Sequence, residues 1–183
     1  GAVAAWFVYT ATFTAAWGLA IFLWRWGPYA AMLDNVFRAG STFEYSNALS
    51  CFSLMALPVT VALQRRAASP DRSLLTVAVT LQASAVLVSY ARFGILMLAA
   101  LSLYLAFSGW RGGFAISTAF SLAMALPIGV VATMASESGD PFTGLLIIVV
   151  ILVVVWLVDS YQDAPKFRSA LRAVAALSAA GGL

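Results

Sequence analysis

The sequence predicts an all-α, polytopic integral membrane protein with six to seven transmembrane helices, on three observations. Hydrophobic residues make up 63% of the 183 residues and charged residues 9%, against roughly 45–50% and about 25% in soluble domains. The mean hydropathy of +0.96 is more apolar than a soluble globule of this size can hide. Six segments approach the roughly 20 mostly apolar residues that a spanning helix needs.

The first segment is residues 2–24, which lack the basic n-region and cleavage site of a secretory signal and read as a span. The second, 47–63, carries Pro58, which a membrane helix tolerates. The third and fourth, 73–91 and 93–107, are separated by Arg92 alone, which predicts a tight helical hairpin or a break buried in protein. The fifth, 114–134, has Pro127 as its kink, and the sixth, 145–158, is dense enough in Ile, Val and Leu to face lipid. The Ala-rich tail 166–183 reads as an amphipathic surface helix or a seventh span. No repeat or low-complexity linker divides the chain, so 1–183 reads as a single transmembrane domain.

Ten Lys and Arg against seven Asp and Glu give a net charge of +3. The basic residues sit in short connections between apolar runs and not on one solvated face, which argues against nucleic acid and for the positive-inside rule. Arg65, Arg66, Arg72, Arg111, Lys166, Arg168 and Arg172 fall on one side; Arg25, Arg38 and Arg92 fall on the other. That asymmetry assigns the first group to the cytoplasm. The long connection 25–46, the Arg92 turn and the acidic loop 135–143, with Glu137 and Asp140, then lie outside.

The chain has one cysteine, Cys51, and no histidine. A disulfide framework, a thiol metal site and His-based nucleophilic catalysis are therefore excluded within it, and neither a metal nor a cofactor is expected. Cys51 and Met97 read as packing residues, and Trp6, Trp17, Trp24 and Trp26 as an aromatic belt. Asp159 and Asp163 read as charges beyond the sixth helix with no catalytic role.

The polar, aromatic stretch Arg38-Ala-Gly-Ser-Thr-Phe-Glu-Tyr-Ser-Asn-Ala48 leads from the outer connection into the second helix. Ser46 or Asn47 is the expected N-cap, and a helix N-terminus beside an arginine suits an anion. The plainer reading is an interfacial loop with Phe43 and Tyr45 in the aromatic belt. Arg92 is costly near hydrocarbon, so it faces a cavity or snorkels to headgroups. Two arginines on the outer side would suit a diphosphate, whose oxygens match the planar guanidinium fork.

With Ser89-Tyr-Ala-Arg-Phe-Gly94 one hairpin later, this stretch resembles the O-antigen ligase and O-antigen polymerase family of bacterial membrane glycosyltransferases, over roughly residues 30–160. That family commonly shows an R-x-x-G-T-F-x-x-P-N-A-like segment followed by an S-R-G-like one. Arg38, Thr42, Phe43, Asn47 and Ala48 match the first and Arg92 the second. The resemblance implies a bacterial inner-membrane protein that transfers a glycan from undecaprenyl diphosphate to an acceptor hydroxyl at the outer face, without a metal. Arg38 and Arg92 would hold the lipid diphosphate, with Thr42, Phe43, Glu44 and Asn47 shaping the loop. Glu44 reads as a loop carboxylate pairing with Arg38.

The chain departs from the family at Ser41, Ser46, Ala91 and Phe93, which stand where Gly, Pro, Ser and Gly are usual, and it lacks the family's later His-bearing outer motif. A second class of function fits the same residues, a non-catalytic accessory subunit of a respiratory, photosynthetic or secretion complex. That class predicts a large protein interface and no outer cavity. A solute transporter is disfavoured because no acidic residue reads as buried mid-helix.

Overall fold

The computed structural model describes residues 1–26, 30–33, 36–39, 41–43, 45–109 and 113–161. Six helices run in order: α1 (Ala2–Trp24), α2 (Ser46–Gln64), α3 (Ser69–Val88), α4 (Arg92–Gly109), α5 (Gly113–Ser138) and α6 (Pro141–Tyr161). Five of them, all except α4, are long and apolar enough to cross a membrane, as a multi-pass membrane protein requires. The apolar part of α4, Arg92–Leu105, is shorter. The tail expected to form a further helix, 166–183, lies outside the described residues.

Local chemistry sets the ends. Helix α3 starts a turn earlier than its apolar run because Pro70 and Asp71 suit a first helical turn. It stops at Val88 because Tyr90 takes a left-handed conformation, φ 50°. The Ser89 hydroxyl fastens that corner by donating to the Val86 carbonyl and accepting from the Ala91 N–H. Helix α5 ends on Gly139 at φ 73°, with the Asp140 N–H returning to the Ala135 carbonyl. Asp140 then caps α6 by accepting the Thr143 N–H at 3.2 Å, with Pro141 as first helical residue. This bond and the Thr143 hydroxyl, the larger cause, hold the exposed Asp140 carboxyl below its ordinary value.

Helix α3 is the hub, packed against α1, α2, α5 and α6. Its residues Ser73, Thr76, Thr80 and Ser84 recur at helical spacing and are fully buried, which lets neighbouring backbones approach closely. At the other extreme, the most apolar helix, α6, is 17% buried, so lipid is its natural solvent. Two apolar clusters fill the interior. One joins Leu19, Phe22, Leu49, Val88, Ile128 and Ile148; the other joins Leu57, Val61, Val79, Val86 and Leu98.

Cross-helix contacts define two ends. Arg25 donates to the Ser136 hydroxyl, which itself donates to the Phe22 carbonyl, and Trp24 meets Phe142 edge-on, so the α1 C-terminus lies beside the α5–α6 turn. Gln64, Arg72, Ser117 and Asp159 meet at the opposite end.

The connection expected to be a plain loop contains an antiparallel hairpin, β1 (Ala30–Leu33) and β2 (Val36–Ala39), with Ala31 opposite Arg38. A 3-10 turn, Ser41–Phe43, follows it. Three further expectations are corrected. The N-cap of α2 is Tyr45, without a side-chain cap, because the helix already begins at Ser46. Cys51 and Met97 are exposed and not packed inside. Asp159 is 1% exposed and belongs to α6, which runs three residues past its expected end.

Candidate functional site

Arg38 and Arg92 come from segments 54 positions apart and line one cleft of about 500 Å³. That is within the roughly 300–1,000 Å³ of small-molecule sites. Strand β2 positions the first arginine. Its neighbour Ala39 is fully buried in the apolar cluster of α1, α2 and α3, and side chains alternate along a strand, so Arg38 is presented on the other face. The second arginine is the first residue of α4, carried there by the left-handed corner at Tyr90.

Asn47, Ser50 and Cys51 complete the α2 wall at i, i+3 and i+4, while Tyr90, Ala91, Phe93 and Gly94 complete the α3–α4 wall. The described lining residues bring two guanidiniums and polar groups, and no carboxylate, to the cleft. That combination favours an anion, and phosphate above all. Thr42 and Phe43 do not line it. Phe43 instead packs its ring 5.3 Å from Phe52, which meets Phe7 at 5.6 Å. It ties the turn to α1 and α2, and does not stand as a belt residue. Thr42 is exposed, and Glu44 lies outside the described residues.

An apolar groove of about 350 Å³ lies between α3, α4 and α5, lined by Leu87, Ile95, Leu126, Val130 and Met134, and shares the lining residue Tyr90 with the cleft. The Tyr90 hydroxyl is 2.8 Å from that of Thr133, which fixes the ring between the two spaces. Leu126, Val130 and Met134 are exposed, so the groove opens on the apolar flank of the bundle.

A second polar assembly occupies the opposite end. The Asp159 carboxylate pairs with Arg72 at 3.3 Å and accepts the hydroxyls of Ser73 and Ser117. Gln64 donates to Thr76 and Ser117 and accepts from Thr118. Further along the bundle, Thr60 donates to Gln82, which donates to Thr12. These bonds join α1, α2, α3, α5 and α6 with their polar groups mutually satisfied. They describe a fastening, in which the one buried carboxylate among the described residues is paired with Arg72. Asp159 is thus buried in the last turn of α6, where the sequence reading placed it beyond the helix.

The sequence reading named Arg38, Asn47 and Arg92 but passed over Ser50 and Tyr90, although the helical spacing from Asn47 to Ser50 was readable. Aromatic residues also form a third groove, of about 440 Å³, between Trp17, Trp24 and Trp26. No family model matches the chain, and no curated protein or solved structure matches it.

Proposed function

We propose that this chain handles a glycan linked to undecaprenyl diphosphate at the outer face of a bacterial inner membrane, as the O-antigen ligase family does. The observation that carries the reading is the cleft shared by Arg38 and Arg92, with an apolar groove beside it that shares Tyr90 and opens on the exposed apolar flank. A lipid diphosphate needs both, a cationic seat for its phosphates and an apolar path for its tail. In this reading α4 counts as a sixth span, and the seven basic residues of the opposite side face the cytoplasm.

The chemistry is glycosyl transfer. An acceptor hydroxyl attacks the anomeric carbon, the bond from that carbon to the phosphate oxygen breaks, and undecaprenyl diphosphate leaves with the electron pair. The acceptor's proton passes to water. Arg38 and Arg92 stabilise the charge that grows on the leaving diphosphate, and such electrostatic stabilisation is often the largest catalytic term. The accessory-subunit reading predicts no cavity at this end, so the cleft favours the lipid-handling reading over it.

The test is native mass spectrometry of the purified chain in nanodiscs titrated with undecaprenyl diphosphate or with undecaprenol. Preference for the diphosphate, weakened roughly tenfold or more by Arg38→Ala and by Arg92→Ala, is the expected result. Equal binding of the two lipids would sink the proposal.

A further inference from the structure

Ser50 is the one lining residue of the arginine cleft whose side chain is almost completely buried, at 1% exposure, and yet has a hydroxyl with no hydrogen-bond partner. Ser53, one turn on, shares this condition but does not line the cleft, and most other buried hydroxyls of the bundle do not share it. Those of Thr76, Thr80, Ser84 and Ser121 donate to the carbonyl one turn back on their own helix. The same option is open to any helical serine, and Ser50 does not take it.

The hydroxyl faces the first turn of α4. A Cβ built on Gly94 would fall 1.8 Å from Ser50 Oγ, so only a glycine lets this turn and this hydroxyl come together. The first turn of a helix carries N–H groups without partners inside the helix, and α4 opens at Arg92 with residues 92–94 lining the cleft. Two features therefore converge on one space, the positive end of an 18-residue helix and a buried hydroxyl that has a proton to donate.

We infer that Ser50 is a ligand-binding residue, donating a hydrogen bond to a phosphate oxygen seated on the N-terminus of α4 between Arg38 and Arg92. The inference rests on the lipid-diphosphate reading and deepens it. Arginines supply charge, whereas Ser50 and the α4 N–H groups supply the direction that fixes which phosphate oxygens face the acceptor.

The experiment measures binding of undecaprenyl diphosphate, undecaprenol and inorganic pyrophosphate to the full chain in nanodiscs, comparing the parent with Ser50→Ala, and records thermal unfolding of both. Ser50→Ala is expected to weaken undecaprenyl diphosphate roughly tenfold, since a hydrogen bond to a charged group is lost. Undecaprenol binding and the unfolding midpoint should stay within error of the parent, because no bond within the protein is removed. Pyrophosphate that competes and shows the same Ser50 dependence would make the phosphate group alone the ligand. A requirement for the lipid would place the tail in the recognition as well. Undecaprenyl diphosphate binding unchanged in Ser50→Ala, while Arg38→Ala and Arg92→Ala still weaken it, would overturn the Ser50 assignment alone. A parent chain that does not distinguish undecaprenyl diphosphate from undecaprenol would overturn both readings.

Discussion

The two ends of this bundle use polar residues in opposite ways. At the Asp159 end a carboxylate, an arginine, a glutamine and several hydroxyls are buried and mutually bonded. At the Arg92 end two arginines and an asparagine border an open cleft, and the buried hydroxyls of Ser50 and, one turn on, Ser53 have no partner. A satisfied network in a low-dielectric interior fixes geometry, while an unsatisfied donor in a cavity wall, as Ser50 is, leaves interaction energy for a ligand. Substitutions at the first end should therefore change stability and leave binding alone. Those at the second should do the reverse.

The largest effect is expected from Asp159→Ala. It leaves Arg72, Ser73 and Ser117 without their common acceptor, and breaking a buried pair in this way costs about 3 kcal/mol. Detergent-titrated unfolding would show that loss, with undecaprenyl diphosphate affinity of the folded fraction unchanged. A stable Asp159→Ala protein with impaired binding would reverse the roles assigned to the two ends.

Next come Arg38→Lys and Arg92→Lys, which keep the charge and lose the planar fork. Each should still weaken undecaprenyl diphosphate several-fold in the nanodisc titration without moving the unfolding midpoint. Full retention of affinity would mean that charge alone is read there.

Gly94→Ala should fall between the two classes. Its methyl group cannot coexist with Ser50 Oγ as placed, so Ser50 must rotate or the first turn of α4 must shift, lowering both stability and affinity modestly. Pairing it with Ser50→Ala, which removes the Oγ and leaves Cβ 3.0 Å away, should recover most of the melting midpoint but not the affinity. Failure of the pair to restore stability would show that the clash lies elsewhere.

The smallest effect concerns Asp140. Its folded carboxyl titrates below the ordinary 3.8 because Thr143 bonds the charged form. The stabilisation is therefore complete above that value and lost as pH falls through the folded one. Melting curves of the parent and Asp140→Ala should be separated by a constant gap at neutral pH that closes below about pH 4. A gap that persists in acid would mean that the capping bond does not depend on charge.

Much of this architecture was readable beforehand. Apolar run lengths placed the six helices within about a turn of their ends, and loop charges put Arg38 and Arg92 on one side. The hairpin was not readable, because Ala-Ala-Met-Leu and Val-Phe-Arg-Ala lack the alternation that marks a half-buried strand. Asp159 was missed for a related reason. Hydropathy ends α6 at Val158, yet the helix continues to Tyr161 and puts Asp159 on the same stripe as Gly144, Ile148 and Val155, all buried. Ser50 stayed hidden because a serine in an apolar helix looks like any small packing residue. Its role depends on Gly94, 44 positions away, which only the fold brings near.

The chain supplies its own reporter for the central claim, since its single cysteine, Cys51, is exposed and lines the cleft. The most direct test is the labelling rate of Cys51 with a membrane-impermeant maleimide, in nanodiscs holding either undecaprenyl diphosphate or undecaprenol. Slowing by the diphosphate lipid and none by undecaprenol is the predicted result. Labelling at the same rate with both lipids would contradict a cleft that seats a lipid diphosphate.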